Sequence, residues 1–199
     1  MPVHSPLVMR CIRPLALVIA LGALLPSSRA GAQPFADPGT GVGFLGAATK
    51  ATGGAQATFV GGAFGITRLT GVLGLELFAG YRIDEYEQAG TTVLRVQQIP
   101  VQLSLLAYLL PNLRVQPYLL GGIGYYRIWS TGEGPLEVQG VSIENRFALH
   151  AGAGVDVRLS PAVSLRLDGR YVFLDVDAVS ALGLSAGSWQ AGAGLNVYF

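Results

Sequence analysis

Residues 188–199 read SWQAGAGLNVYF, and the alternation in this stretch decides the architecture. Trp189, Ala191, Ala193, Leu195, Val197 and Phe199 take every second place, and Ser188, Gln190, Gly192, Gly194 and Asn196 fill the places between, until Tyr198. A period of two sends successive side chains to opposite faces of an extended strand. An amphipathic helix would space its apolar residues three and four apart instead. The segment is therefore a strand with one face for hydrocarbon and one for polar or small groups.

The same pattern recurs upstream, now with charge. In 163–175, Val163, Leu165, Leu167, Tyr171 and Phe173 share one face and Ser164, Arg166, Asp168 and Arg170 the other. In 146–159, Phe147, Leu149, Ala151, Ala153, Val155, Val157 and Leu159 oppose Arg146, His150, Asp156 and Arg158. Segment 72–86 sets Leu73, Leu75, Leu77, Ala79, Tyr81 and Ile83 against Glu76, Phe78, Arg82 and Asp84. Segment 91–110 sets Ile99, Val101, Leu103, Leu105, Ala107 and Leu109 against Gln98, Gln102, Ser104 and Tyr108. Pro100 has no N–H to give a ladder, which predicts a bulge or a local break in pairing there.

Three further strands are expected at 41–50, 55–66 and 115–130, the last apolar on both parities and unphased. That makes eight. Short turns fall near 67–71, 111–114 and 160–162, and acidic, more variable loops at 131–145 and 176–186. The connections at 51–54 and 87–90 are short as well. Periodicity alone leaves open whether the apolar faces look outward into lipid or inward into a soluble core.

The other end of the chain bears on that choice. Arg10 and Arg13, the apolar run 15–25 (LALVIALGALL) and the small residues Ala30-Gly31-Ala32 read as a secretory signal peptide over 1–32. Cleavage is expected between Ala32 and Gln33, with cleavage after Ala30 as the alternative. The run is too short to span a bilayer as a helix, which takes about 20 residues. The only cysteine, Cys11, precedes the run, so no disulfide, thiolate metal site or lipid-bearing cysteine is expected afterwards. Removing the leader leaves ten basic residues against twelve acids, a net charge of −2, which argues against a nucleic-acid partner. Charged residues make up 13% of the chain, where a soluble domain carries about 25%. High apolar content in short alternating segments is what a membrane barrel requires.

Together, the export leader, the eight alternating segments and the terminal strand ending on Phe199 resemble small bacterial outer-membrane β-barrels of the OmpA, OmpX and OmpW kind. The resemblance implies an all-β fold: an eight-stranded antiparallel up-and-down transmembrane barrel over 41–199, behind a cleaved signal peptide and a short leader at 33–40. It implies an outer-membrane location, with termini and tight turns periplasmic. It also implies outer-membrane lipid as surroundings, and recognition of the last strand by the β-barrel assembly machinery through Trp189, Leu195, Val197 and Phe199. Aromatic residues near strand ends (Tyr81, Tyr86, Tyr125, Tyr126, Trp129, Trp189, Tyr198 and Phe199) are expected to form interfacial girdles.

The chemistry on offer is an inward polar set of Glu76, His150, Asp156, Arg158, Arg166, Asp168 and Arg170. Pairing Leu159 with Val163 across the turn places Asp156 opposite Arg166, an expected ion pair. Such a set either gates a solute or plugs an interior that eight strands leave only wide enough for side chains. The lipid A deacylase kind of barrel uses a His with a Ser two residues on, facing lipid, whereas His150 is followed by Ala151 and Gly152. Gly-rich stretches at 121–124, 152–154 and 192–194 lack the phosphate-loop pattern and sit in strands. No catalytic, metal or cofactor site is expected. The expected role is a structural or interaction barrel, a monomer with a plugged lumen. A narrow porin-like channel is the alternative, and a soluble lipocalin-like periplasmic binder the outside one.

Overall fold

The computed structural model describes residues 39–52, 57–88, 91–132, 141–174 and 187–199. They form β1 (Thr40–Ala51), β2 (Thr58–Arg68), β3 (Leu73–Gln88), β4 (Thr91–Tyr108), β5 (Val115–Gly132), β6 (Val141–Arg158), β7 (Val163–Phe173) and β8 (Ser188–Tyr198). Each strand pairs antiparallel with its chain neighbours, and β8 returns to β1, so the sheet is a closed barrel. The predicted leader with Ala32 and Gln33 lies outside the described residues, as do the turn at Gly53-Gly54, the loop acids Glu133 and Glu137, and 175–186.

Register fixes the dimensions. Stepping across the ladder from Gly41 leads through Ile66, Glu76, Ser104, Gly122, His150, Val172 and Ser188 to Ala51, ten residues along the strand that began the circuit. With strands about 4.8 Å apart and about 3.3 Å per residue, that stagger tilts them ~40° and sets a backbone radius of about 8 Å. Such a cylinder holds side chains and little else.

The direction of the faces settles the choice the sequence left open. Arg82, Arg158, Arg166 and Arg170 are at most 2% exposed, while Phe147 is 79% and Phe44 76% exposed. Charge is inside and hydrocarbon outside, the reverse of a soluble lipocalin-like protein. β5 can now be phased: Leu119, Ile123 and Tyr125 point out, and Tyr118, Leu120, Tyr126 and Ile128 point in.

Three connections, 69–72, 109–114 and 159–162, lie at one rim, while the two-residue connection between β3 and β4 lies at the other. Leu69 N donates to Leu73 O and Leu159 N to Val163 O, each at 2.9 Å. Ser160 Oγ accepts from Val163 N at 3.1 Å, and Thr70 Oγ1 from Leu73 N at 3.0 Å. Asn112 takes the left-handed φ of 67°, which a short polar side chain tolerates in a turn. The start of β1 and Phe199 sit at the same rim as those three, where Phe199 N donates to Thr40 O at 2.9 Å.

Three expectations need correction. β6 begins at Val141, so the loop predicted over 131–145 gives up 141–145 to the strand. Tyr126 and Tyr198 belong to no girdle; they are 1% and 5% exposed inside the barrel, because their positions carry lumen parity. The Asp156–Arg166 register is as expected, yet the two side chains do not pair, for reasons given below. Pro100 breaks pairing on one side only. It keeps its place opposite Tyr126, while the β3–β4 ladder skips Gly80 and Tyr81 and resumes in the same register.

Candidate functional site

The lumen has two different walls. Leu45, Val60, Phe64, Ile66, Phe78, Leu106, Tyr108, Tyr118 and Leu120 make an apolar cluster on β1 to β5. The buried charges of β6 and β7 oppose it, with Glu76, Arg82 and Asp84 of β3 reaching in from the apolar side. This is why β5 reads apolar on both parities: one face meets lipid and the other the apolar lumen wall. Lumen glycines make room for the largest rings. A Cβ at Gly154 would collide with Tyr118, and one at Gly43 with Phe64.

At mid-height, β7 sends Arg166, Asp168 and Arg170 toward Glu76 on β3. Arg166 Nη1 bonds Glu76 Oε2, and its Nε donates to Tyr118 Oη at 2.7 Å. Its guanidinium lies 4.8 Å from the Tyr118 ring centre and 5.2 Å from that of Phe64. Arg170 Nη2 bonds Asp168 Oδ2 at 2.5 Å and reaches Glu76 Oε1 at 3.4 Å. Arg170 Nη1 donates to Gln102 Oε1 at 2.9 Å, and Gln102 Nε2 to Tyr126 Oη at 2.6 Å. Two cations and two anions thus neutralise one another across the barrel. Taking an ion out of water costs several kcal/mol, recovered only where every charge is paired and hydrogen-bonded. Each of the four charges has an opposite partner, and Arg166 Nη2 alone in the cluster is buried without a hydrogen-bond partner.

Asp156 therefore loses its expected partner to Glu76. Adjacent in the ladder, Asp156 instead accepts from Tyr198 Oη at 2.9 Å. Arg158 stacks 4.6 Å from the Tyr198 ring centre and donates to Pro161 O at 3.1 Å. Toward the opposite rim a second polar cluster lies inside the barrel. Arg82 Nε bonds Asp84 Oδ2 at 2.7 Å, and Arg82 Nη1 donates to Ser188 Oγ at 2.7 Å. Gln98 Nε2 and Thr58 Oγ1 donate to the two oxygens of Asp84, each at 2.9 Å.

His150 faces the lumen as expected, and its Nε2 lies 2.8 Å from Ser104 Oγ. The sequence gives no sign of this contact, since the two are 46 residues apart and meet only through β5 between them. Both are buried, Ser104 at 0% and His150 at 2% exposure. All seven residues of the expected polar set, from Glu76 to Arg170, are buried in the barrel. The site also takes in Arg82, Asp84, Gln98, Gln102, Tyr118 and Tyr126; alternation marks most of these as inward, but nothing local marks them as partners. On β8, Trp189, Leu195 and Val197 point outward, and Phe199 follows at the rim, each about half exposed or more.

Comparison with known proteins places this geometry. The chain is similar in fold to the N-terminal β-barrel domain of Pseudomonas aeruginosa OprF, at 15% identity over 80% of this chain and 97% of that one, with a TM-score of 0.55. It is similar to Neisserial surface protein A at 18% identity over 80% and 96%, with a TM-score of 0.56. Pseudomonas aeruginosa OprG gives 18% identity over 81% and 96%, with a TM-score of 0.58. No curated protein matches the sequence. The family model for the outer membrane protein beta-barrel domain matches residues 15–196. With that match and a closed barrel whose hydrocarbon face is outward, the chain belongs to the outer membrane protein beta-barrel domain family, and its place is the outer membrane.

Proposed function

We propose that this protein is a non-conducting, non-catalytic barrel, a monomer that serves the outer membrane as a structural and interaction element. The observation that carries the reading is the four-residue charge cluster of Glu76, Arg166, Asp168 and Arg170, which spans the lumen from β3 to β7 with no member more than 7% exposed. A cylinder of about 8 Å backbone radius leaves no open path beside side chains of that size. Ser104 and His150 act as packing within this plug. Their burial keeps any substrate from touching them unless the barrel opens. The outward apolar residues of β8 and Phe199 are the contact offered to the assembly machinery, and lipid is the solvent of the rest.

Planar-bilayer recording tests the plug. The wild-type protein is expected to be silent, and Arg166→Ala combined with Arg170→Ala is expected to pass a measurable ion current. Steady conductance by the wild-type protein, altered by Asp168→Ala, would replace this reading with the narrow channel.

A further inference from the structure

The lipid-facing surface is not uniform. A cleft of about 280 Å³ lies against β5, β6 and β7, lined by Ile123, Phe147, Ala148, Leu149 and Phe173. Ile123, Leu149 and Phe173 stand in one row across the three strands, with Phe147 one step above on β6 opposite Tyr125. Ring contacts brace both sides, Tyr125 with Phe147 at 5.5 Å and Phe173 with Tyr171 at 4.7 Å between centres. Below that row small residues run diagonally between two large ones: Gly121 pairs with Ala151 beside Tyr171, and Ala153 pairs with Gly169 beside Leu119.

These two glycines answer to nothing inside the barrel. A Cβ at Gly121 would meet no atom nearer than 3.8 Å, and one at Gly169 none nearer than 3.9 Å. By contrast, a Cβ at Gly122 or Gly152 would collide with the neighbouring backbone. The smallness of Gly121 and Gly169 is therefore a property of the outer surface, where with Ala151 and Ala153 it continues the cleft as a groove. From Phe147 to Ala153 the groove is about 20 Å long at ~3.3 Å per residue. Inclined by ~40°, it descends about 15 Å along the membrane normal, half of a hydrocarbon core about 30 Å thick.

The upper end of the groove carries charge. Arg127, one outward step above Tyr125 on β5, is exposed, lies 5.4 Å from the Trp129 ring centre, and has no carboxylate partner among the described residues. The longest connections, Gly132 to Val141 and Phe173 to Ser188, lie at the rim nearer Arg127, and longer loops belong to the outer side, so Arg127 stands at the outer-leaflet interface. A guanidinium there matches a phosphate, which it binds by paired N–H donors.

We infer that the groove from Phe147 and Phe173 down over Gly121, Ala151, Ala153 and Gly169 seats one extended acyl chain of an outer-leaflet phospholipid or phosphorylated lipid, with Arg127 on its phosphate. The site depends on the outer-membrane placement and not on the lumen being plugged, so conductance and lipid binding fail independently.

The test uses the full barrel in detergent and counts bound lipid by native mass spectrometry, with dipalmitoyl phosphatidate and dipalmitoylglycerol as probes. Gly121→Leu with Gly169→Leu fills the groove without touching the interior, and is expected to reduce phosphatidate retention at least tenfold. Arg127→Gln is expected to abolish the preference for phosphatidate over dipalmitoylglycerol. Leu103→Trp, on the lipid face of β4, is expected to leave retention unchanged. Heat-dependent migration on SDS gels confirms that each variant is folded. Equal retention by the folded double-leucine variant and the wild type would overturn the inference. So would equal retention of both probes by the wild type, or a Leu103→Trp loss as large as that of the groove variant.

Discussion

Gly121 and Gly122 are chain neighbours with opposite obligations. Gly122 faces the lumen, where a Cβ would run into the Leu103–Ser104 backbone, while Gly121 faces open space. Gly122→Ala is expected to cost about 1–3 kcal/mol as overpacking, and Gly121→Ala to stay within about 0.5 kcal/mol. Urea unfolding in lipid vesicles, followed by fluorescence of Trp129 and Trp189, measures both. At this scale the sequence told which way a residue points but not whom it meets. Asp156 and Arg166 were placed opposite one another correctly, because a tight turn fixes the register of its own hairpin. That Arg166 turns away to Glu76, 90 residues earlier, follows from the stagger of the whole barrel, which no local window contains.

Among elements, β7 is the one whose two faces differ most. Its lumen face holds Arg166, Asp168 and Arg170, and its lipid face Leu165, Leu167 and Phe173. Leu167→Arg, near mid-height, is expected to cost about 2–4 kcal/mol, falling toward the interfaces. The same substitution at Leu159, by the turn rim, is expected to cost about 0–1 kcal/mol, and vesicle unfolding would show the difference. β7 and the second half of β6 were legible because charge alternates with hydrocarbon. β5 was not, since apolar residues fill both its faces, and neither was the start of β6. There, polar Asn145 takes an outward place between Ile143 and Phe147, so the apolar alternation that marks a strand fades while the hydrogen-bonded ladder to β5 continues.

At the level of the molecule, charge cancels within the lumen. Among the described residues, Arg82, Arg158, Arg166 and Arg170 are buried with Glu76, Asp84, Asp156 and Asp168. Buried pairs are screened far less than exposed ones. The unfolding midpoint in vesicles is therefore expected to shift little between about 0.05 and 1 M salt, and a large loss at high salt would show that ions reach the lumen. Closure itself was legible only through the resemblance of the terminal strand and the leader to a known family, because alternation cannot say that β8 returns to β1.

That return has a consequence in time. β1 finds one of its two partners in β2, close by in sequence, and the other in β8, the most distant pairing in the chain. In hydrocarbon an unpaired strand edge leaves a row of N–H and C=O groups unsatisfied. Seven strands would leave two such edges, each with a row of unsatisfied backbone groups facing hydrocarbon. Satisfying both edges therefore waits on β8, whichever order the earlier hairpins form in.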